Sequence, residues 1–348
     1  MQTFTVALAG NPNSGKTTLF NRLTGAHQKV GNYPGVTVEW KEGVRRLQGT
    51  ELHFVDLPGT YSLTAYSEEE LVARNYLLGD QPDLVVNVVD ASNLERNLYL
   101  TTDLMELGLP MVVVLNMSDV AESSGLEIDT VALANRLGAP VIPAVGSRGV
   151  GLDALLASVL DVLGRNGDQP RPQVDLGQEI EPRIDELVRE MAERVPQIPS
   201  RQRRWHAIKL LERDEKVVGE LGRHDLADQA ERLAGELDEE EPGTSDVTVS
   251  RHRYAYIGHL CRQVVRGTAR PGRDLTDRLD AVAMHQVWGV PIFLALMFVV
   301  FNLTFTLGDP LMGFMETGIA ALSSGVSALW PEGSTSPLRS LLVDGVIA

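Results

Sequence analysis

Eight consecutive residues, Gly10-Asn11-Pro12-Asn13-Ser14-Gly15-Lys16-Thr17, carry the pattern G-x-x-x-x-G-K-[ST]. A loop of this composition cradles phosphate. Its glycines let the backbone curl until its N–H groups face one point, and a helix starting at its end adds partial positive charge. Lys16 then reaches the outer phosphates of a nucleotide. The Thr17 hydroxyl is placed to hold Mg2+, and Thr18 beside it completes the expected phosphate-contacting set. A loop built only for packing has no need of the lysine.

Three further segments follow in the order that a guanine-nucleotide site requires. Asp56-Leu57-Pro58-Gly59 is a D-x-x-G turn, in which Asp56 holds Mg2+ through water and Gly59 offers its N–H to a γ-phosphate. Asn116-Met117-Ser118-Asp119 reads as N-x-x-D. A carboxylate there accepts two hydrogen bonds from N1–H and the 2-amino group of guanine. Adenine has no such donor pair, and the unpaired carboxylate would cost about 1–3 kcal/mol. Met117 stands where a lysine is usual, so packing on the base falls to a thioether chain. Gly146-Ser147-Arg148 is expected to meet the base with backbone N–H groups. Thr37, between the phosphate loop and Asp56, is expected to complete Mg2+ coordination in the triphosphate state. No glutamine follows the D-x-x-G turn. Thr60 and Tyr61 stand there, so the attacking water must be oriented otherwise. Glu68 and Glu69 read as acids at a helix start before they read as catalytic groups.

These residues need a scaffold, and the first 165 residues supply one. Apolar runs at Thr5–Ala9, Leu52–Asp56, Leu84–Asp90, Met111–Asn116 and Val141–Val145 alternate with helical patterns at Lys16–Leu23, Glu68–Leu78 and Leu98–Leu107. Such alternation predicts a doubly wound, mostly parallel α/β sheet with its sites at the carboxyl ends of the strands. Residues 166–178 read as a linker rich in Gly, Pro and Asp. An all-α region follows, with helices expected over Glu179–Val195, Arg204–Leu221, Asp225–Leu237 and Tyr254–Val265, and a solvated acidic turn at Glu236–Glu241. The expected organisation is a nucleotide-binding domain at 1–165, a linker and helical domain at 166–275, and the start of a membrane domain at 276–348.

The formal charge of −16 over 348 residues leaves no basic surface for a nucleic-acid backbone. The single cysteine, Cys261, excludes an intramolecular disulfide and a multi-cysteine metal site. Met1–Gly10 has no basic start and is not expected to be a signal peptide. From Ala281 to Gly308 there is no charged residue, and a membrane span is expected near 287–307. The apolar stretch Leu311–Trp330, with one acid at Glu316, is expected to be re-entrant or interfacial. Arg262, Arg266, Arg270, Arg273 and Arg278 precede the span, which puts the nucleotide-binding domain on the cytoplasmic side.

Longer stretches resemble one family. G-N-P-N-S-G-K-T-T-L-F-N-R-L-T-G at 10–25, V-G-N-Y-P-G-V-T-V-E at 30–39, D-L-P-G-T-Y-S-L at 56–63, R-W-H-A-I-K-L-L-E at 204–212 and H-Q-V-W-G-V-P-I-F-L at 285–294 are similar to those of FeoB, the bacterial ferrous iron transporters with an N-terminal G-domain. The resemblance implies GTP and GDP as ligands, a helical domain that favours GDP retention, a slow intrinsic GTPase, and Fe2+ uptake across the inner membrane coupled to nucleotide state. It implies K+ stimulation through Asn13, homo-oligomers, and small accessory Feo proteins as partners. It also implies a chain about twice this length. Ser or Thr is frequent in that family where Gly146 stands here. The competing reading is a membrane-tethered regulatory or assembly GTPase with no transport role. Pro291, Asn302, Thr304 and Thr306 within the span speak against an inert anchor.

Overall fold

The computed structural model describes residues 2–25, 28–32, 38–64, 67–80, 82–165, 172–267 and 289–328. The chain divides into two units, Met1–Arg270 and Pro271–Ala348. In the first, β1 (Gln2–Gly10) leads through the phosphate-loop motif into α1 (Lys16–Thr24). There follow β2 (Gln28–Asn32), β3 (Glu39–Leu47), β4 (Thr50–Asp56), α2 (Glu68–Asn75), which continues as a π-turn over Tyr76–Asp80, β5 (Leu84–Asp90) and α3 (Leu94–Leu107). β6 (Met111–Asn116), α4 (Ser118–Ser123), β7 (Glu127–Ile128), α5 (Thr130–Leu137), β8 (Val141–Pro143) and α6 (Leu152–Gly164) complete the α/β part.

Among the described residues the sheet has seven strands in the order β2-β3-β4-β1-β5-β6-β8. β4, β1, β5, β6 and β8 run parallel, as the alternating pattern predicts, and β2 and β3 add an antiparallel edge. β5 shows why the interior strands are continuous apolar runs. Val85 and Val89 enter one core with α3 and the helical region, while Leu84, Val86 and Val88 enter the other with α1 and α6. Local chemistry sets several helix starts. Ser67 and Glu70 form a reciprocal capping box on α2, and Asp129 caps α5. Glu68 and Glu69 sit in the first turn of α2, as read.

The helical region comprises α7 (Glu181–Arg194), α8 (Ser200–Leu211), α9 (Glu215–Leu221), α10 (His224–Glu240) and α11 (Ser245–Val264), followed by β9 (Val265–Arg266). Two expectations change here. The helix expected over Arg204–Leu221 is broken at Arg213, whose φ of +56° no continuing helix allows, and Asp214 caps α9. The acids Glu236–Glu240 lie inside α10, so the turn begins only at Glu241. Val174 and Leu176, inside the stretch read as linker, are fully buried in the shared core. Cys261 is half-buried, and burial pushes its thiol up to about 11, consistent with an inert packing residue.

Buried ion pairs join the sheet to the helices. Asp103 on α3 accepts the Leu63 N–H at 2.9 Å through one oxygen and pairs with Arg253 of α11 through the other. Arg253 also reaches Glu106 at 2.9 Å. Burial pushes the Glu106 carboxyl up to about 8, against the pull of nearby Arg204. Arg74 of α2, fully buried, pairs with Asp214 at 3.1 Å and Glu220 at 3.2 Å. Lys209 of α8 donates to Glu212 at 2.6 Å and to the Thr64 hydroxyl at 3.0 Å.

The second unit contains α12 (Gly289–Ser327), 39 residues that include Pro310. Among the described residues it is the one helix long and apolar enough, by length and composition, to cross a membrane. It corrects the expected division into a span near 287–307 and a separate stretch from Leu311, because the helix continues through Pro310. Proline removes one backbone bond and crowds the carbonyl four residues earlier, a local defect that need not end a helix. The Thr304 and Thr317 hydroxyls bond back to the carbonyls of Val300 and Gly313, satisfying themselves within the helix.

Replacing Arg253 with Met is expected to destabilise the first unit by about 3–5 kcal/mol, because Asp103 loses its buried counter-charge and Glu106 loses a buried hydrogen-bond donor. Urea unfolding followed by tryptophan fluorescence measures this, and an unchanged midpoint would remove the ion pair from the account of the fold.

Candidate functional site

The candidate phosphate loop joins the carboxyl end of β1 to the start of α1, at the centre of the sheet. Gly10 lies against β5, and a Cβ there would come within 2.5 Å of the Val88 carbonyl oxygen. Gly15 has φ +82°, and a Cβ on it would lie 2.2 Å from Asn116 Nδ2. Both glycines are therefore demanded by close approach as well as by the turn. The Ser14 N–H closes the turn on the Asn11 carbonyl at 3.2 Å, and Asn11 reaches the Arg96 carbonyl at 3.4 Å. Asn13, at the tip, is exposed with φ +66°.

Lys16, Thr17 and Asp56 come together below the loop. Lys16 Nζ pairs with Asp56 Oδ1, and the Thr17 hydroxyl donates to Asp56 Oδ2 at 3.2 Å. Burial pulls the Lys16 ammonium below its ordinary value, opposed by the Asp56 charge. The D-x-x-G turn is stitched to the loop. Leu57 N–H donates to the Leu8 carbonyl at 3.0 Å, Thr60 N–H to the Gly10 carbonyl at 3.2 Å, and a Cβ on Gly59 would meet Pro12 Cα at 3.2 Å. A hydroxyl and a carboxylate converging there are hard oxygen donors of the kind Mg2+ takes alongside water and phosphate oxygens. Among the described residues no group of three or more His, Cys, Asp or Glu is placed to hold a metal ion.

Asn116, at the end of β6, is buried, and its amide bridges two loops. Nδ2 donates to the Ser14 carbonyl at 2.7 Å, and Oδ1 accepts the Gly146 N–H at 2.8 Å. Met117 follows with φ +58° and opens α4. Asp119 pairs with Arg148 at 2.8 Å and accepts the Val120 N–H at 3.0 Å. The 146–148 segment narrows what the sequence suggested. Gly146 N–H is committed to Asn116 and Arg148 N–H to the Val145 carbonyl at 3.0 Å, which leaves the Ser147 N–H without a partner among the described residues. Thr18 is exposed on α1. Thr37 lies outside the described residues.

Sequence reasoning missed two members of this surround. Arg22 of α1 donates to the Ser147 carbonyl, and Thr60 is a buried backbone tie to Gly10. Neither belongs to a short motif. Only the order of the strands reveals that α1 borders the loop after β8.

Two family models match the chain: FeoB_N, described as Ferrous iron transport protein B, over residues 4–159, and the FeoB cytosolic helical domain over residues 177–266. A crystal structure of an S. thermophilus NFeoB mutant bound to GDP is 37% identical with a TM-score of 0.69, covering 76% of this chain and all of that one. The chain belongs to the FeoB family. The cytosolic domain of L. pneumophila FeoB is 36% identical at a TM-score of 0.66, over 75% of this chain and 99% of that one. The Fe(2+) transporter FeoB of Escherichia coli (strain K12) is 42% identical over 92% of this chain, and a Porphyromonas gingivalis fusion of Fe(2+) transport protein A with FeoB is 42% identical over 98%. The chain spans 41% of the length of both relatives.

Asn116→Ala is expected to release the phosphate loop and the 146–148 loop together. With two buried hydrogen bonds lost, nucleotide affinity should fall about 30-fold or more, at about 1–3 kcal/mol per orphaned partner. Calorimetric titration with GDP checks this; wild-type affinity would mean that the bridge does not shape the site.

Proposed function

We propose that this chain is the GTP-binding and GTP-hydrolysing cytoplasmic part of a ferrous iron transporter, in which the nucleotide state gates Fe2+ passage across the bacterial inner membrane. The observation that carries the reading is the convergence of Lys16, Thr17 and Asp56 beneath a glycine-shaped loop that Asn116 ties to the Asp119 end of the site. GDP-bound members of the family support guanine nucleotides as the ligands.

In this reading the loop amides and Lys16 bind the β- and γ-phosphates. Thr17 and Asp56, joined by Thr37 in the triphosphate state, hold Mg2+, which when bound neutralises developing phosphate charge. Gly59 donates its N–H to the γ-phosphate, and Asp119 accepts from guanine N1–H and the 2-amino group. Thr60 is buried with its hydroxyl on the Ser62 carbonyl, so orienting the attacking water falls to backbone groups and turnover is slow. Asn13, exposed at the loop tip, offers a carbonyl oxygen for K+, a cation that supplies charge where an arginine finger otherwise would. The Leu63 and Thr64 contacts with Asp103 and Lys209 give the loop after D-x-x-G a direct connection to the helical region. The relatives' names and the polar groups of α12 favour transport over a tethered GTPase without a transport role.

Asp119→Asn is expected to weaken GTP and GDP binding at least tenfold and to favour xanthine nucleotides, because the amide presents a donor where guanine also presents donors. In cells carrying the full-length gene, the same change should abolish GTP-dependent Fe2+ uptake. Unaltered GTP affinity would remove Asp119 from the base, and unaltered uptake would favour the tethered GTPase.

Hydrolysis is expected to run several-fold faster in KCl than in matched NaCl, and Asn13→Ala should erase that difference while leaving GDP affinity nearly intact. Equal wild-type rates in the two salts would sink the potassium role. Equal weakening of GDP binding in both salts would recast Asn13 as a brace of the loop.

A further inference from the structure

We propose that Arg22 is a positioning residue of the base loop, holding Ser147 in register and so setting how long a guanine nucleotide stays bound. The proposal rests on the reading of residues 116–119 and 146–148 as the base site. The loop after β8 is a closed turn. Val145 and Val150 bond each other through N–H to carbonyl contacts of 3.1 and 3.3 Å, and Gly149 N–H donates to the Gly146 carbonyl at 3.3 Å. Its root is fixed by Asn116 on Gly146.

The tip is held from α1. The Arg22 guanidinium donates to the Ser147 carbonyl, and Nη1 lies 3.6 Å from where a Cβ of Gly149 would stand, ordinary contact distance with the turn. The peptide unit joining Ser147 to Arg148 is thereby pinned at both ends, its oxygen by Arg22 and its N–H by the Val145 carbonyl. A planar peptide held at both ends cannot rotate. The preceding unit, Gly146 to Ser147, is held through its own oxygen by the Gly149 N–H, and the two restrained planes together orient the Ser147 N–H, which has no partner among the described residues and is the donor left to meet a base. Gly146 contributes no side chain that could do this work. Arg22 also sits on the helix that begins with Lys16 and Thr17, so one rigid element spans the phosphate end and the base end. Lysine carries the charge but lacks the planar fork that reaches the carbonyl while lying against the turn.

Loss of such a restraint acts on departure more than on arrival. Release of mant-GDP from the full chain, chased with excess GDP in a stopped-flow instrument, is the test, with Arg22→Ala, Arg22→Lys and Asp119→Asn compared with wild type. Arg22→Ala is expected to speed release about three- to tenfold with the association rate constant unchanged, the scale of one solvent-exposed hydrogen bond. Arg22→Lys should fall between, and the unfolding midpoint of the nucleotide-free chain should not move. Wild-type release from Arg22→Ala, with faster release from Asp119→Asn, overturns the role of Arg22 and leaves the base site standing. Wild-type release from Asp119→Asn overturns the base-site reading and this proposal with it. A lowered unfolding midpoint with slower association in Arg22→Ala makes the residue a structural brace and also overturns the proposal.

Discussion

A primary amide has its oxygen and nitrogen pointing apart at a fixed angle, and Asn116 uses both on backbone groups of different loops. Nδ2 meets the Ser14 carbonyl and Oδ1 meets the Gly146 N–H, so the distance between those two loops is set by the size of one side chain. The constraint extends outward. Gly15 must lack a Cβ because Asn116 Nδ2 fills that space, and a Cβ on Gly146 would press on Asn116 Oδ1 at 3.1 Å. β6 must end at Asn116, between β5 and β8, for the amide to reach both ways. Parallel strands with their carboxyl ends on one side make such a bridge available, and an apolar residue at 116 would orphan two buried backbone groups at once.

A second set of contacts binds this sheet to the helices. Asp103 gives one oxygen to the backbone just beyond the D-x-x-G turn and the other to Arg253 on α11. At its far end α11 passes into β9, which pairs with β7 shortly after the N-x-x-D helix α4. Asp129 N–H donates to the Val264 carbonyl at 2.8 Å there. Gly267, at φ +91°, lies so close to Gly125 that a Cβ would come within 2.2 Å of its carbonyl. The same helix is thus connected near its middle to the D-x-x-G side of the candidate site and at its end to the N-x-x-D side. A displacement on either side meets buried charges or paired strands, which resist small continuous adjustment.

The phosphate loop, the D-x-x-G turn and the N-x-x-D segment were legible because each is a short run whose spacing encodes one turn of backbone. The interior strands were legible for a similar reason, since burial on both faces leaves only apolar residues. β2 and β3 were not, because an antiparallel edge with charges at Lys41, Glu42, Arg45 and Arg46 lacks a continuous apolar run. The break at Arg213 carries no Gly or Pro, and only its φ of +56° and the Asp214 cap reveal it. The single extent of α12 was not legible because Asp309 and Pro310 interrupt its apolar run, and the helix nevertheless continues through them. Arg253 and Asp103 stand 150 residues apart, and no local pattern announces a pair made by tertiary packing. The role of Asn116 was only half legible. Its type and position were read correctly, but its work as a bridge between loops depends on strand order.

The candidate site balances its charges before any ligand is considered. Lys16 and Asp56 are both buried, and each compensates the desolvation of the other. A phosphate on Lys16 would compete with Asp56, and a divalent cation beside Thr17 would give Asp56 another partner. Asn13 is the exception in this balanced arrangement. It is exposed, left-handed at φ +66°, and its position is one at which a side chain other than Gly is retained at a conformational cost. Asparagine tolerates that region better than most residues because its short amide can bond locally. No hydrogen bond to its side chain occurs among the described residues, so the cost is not offset within the loop.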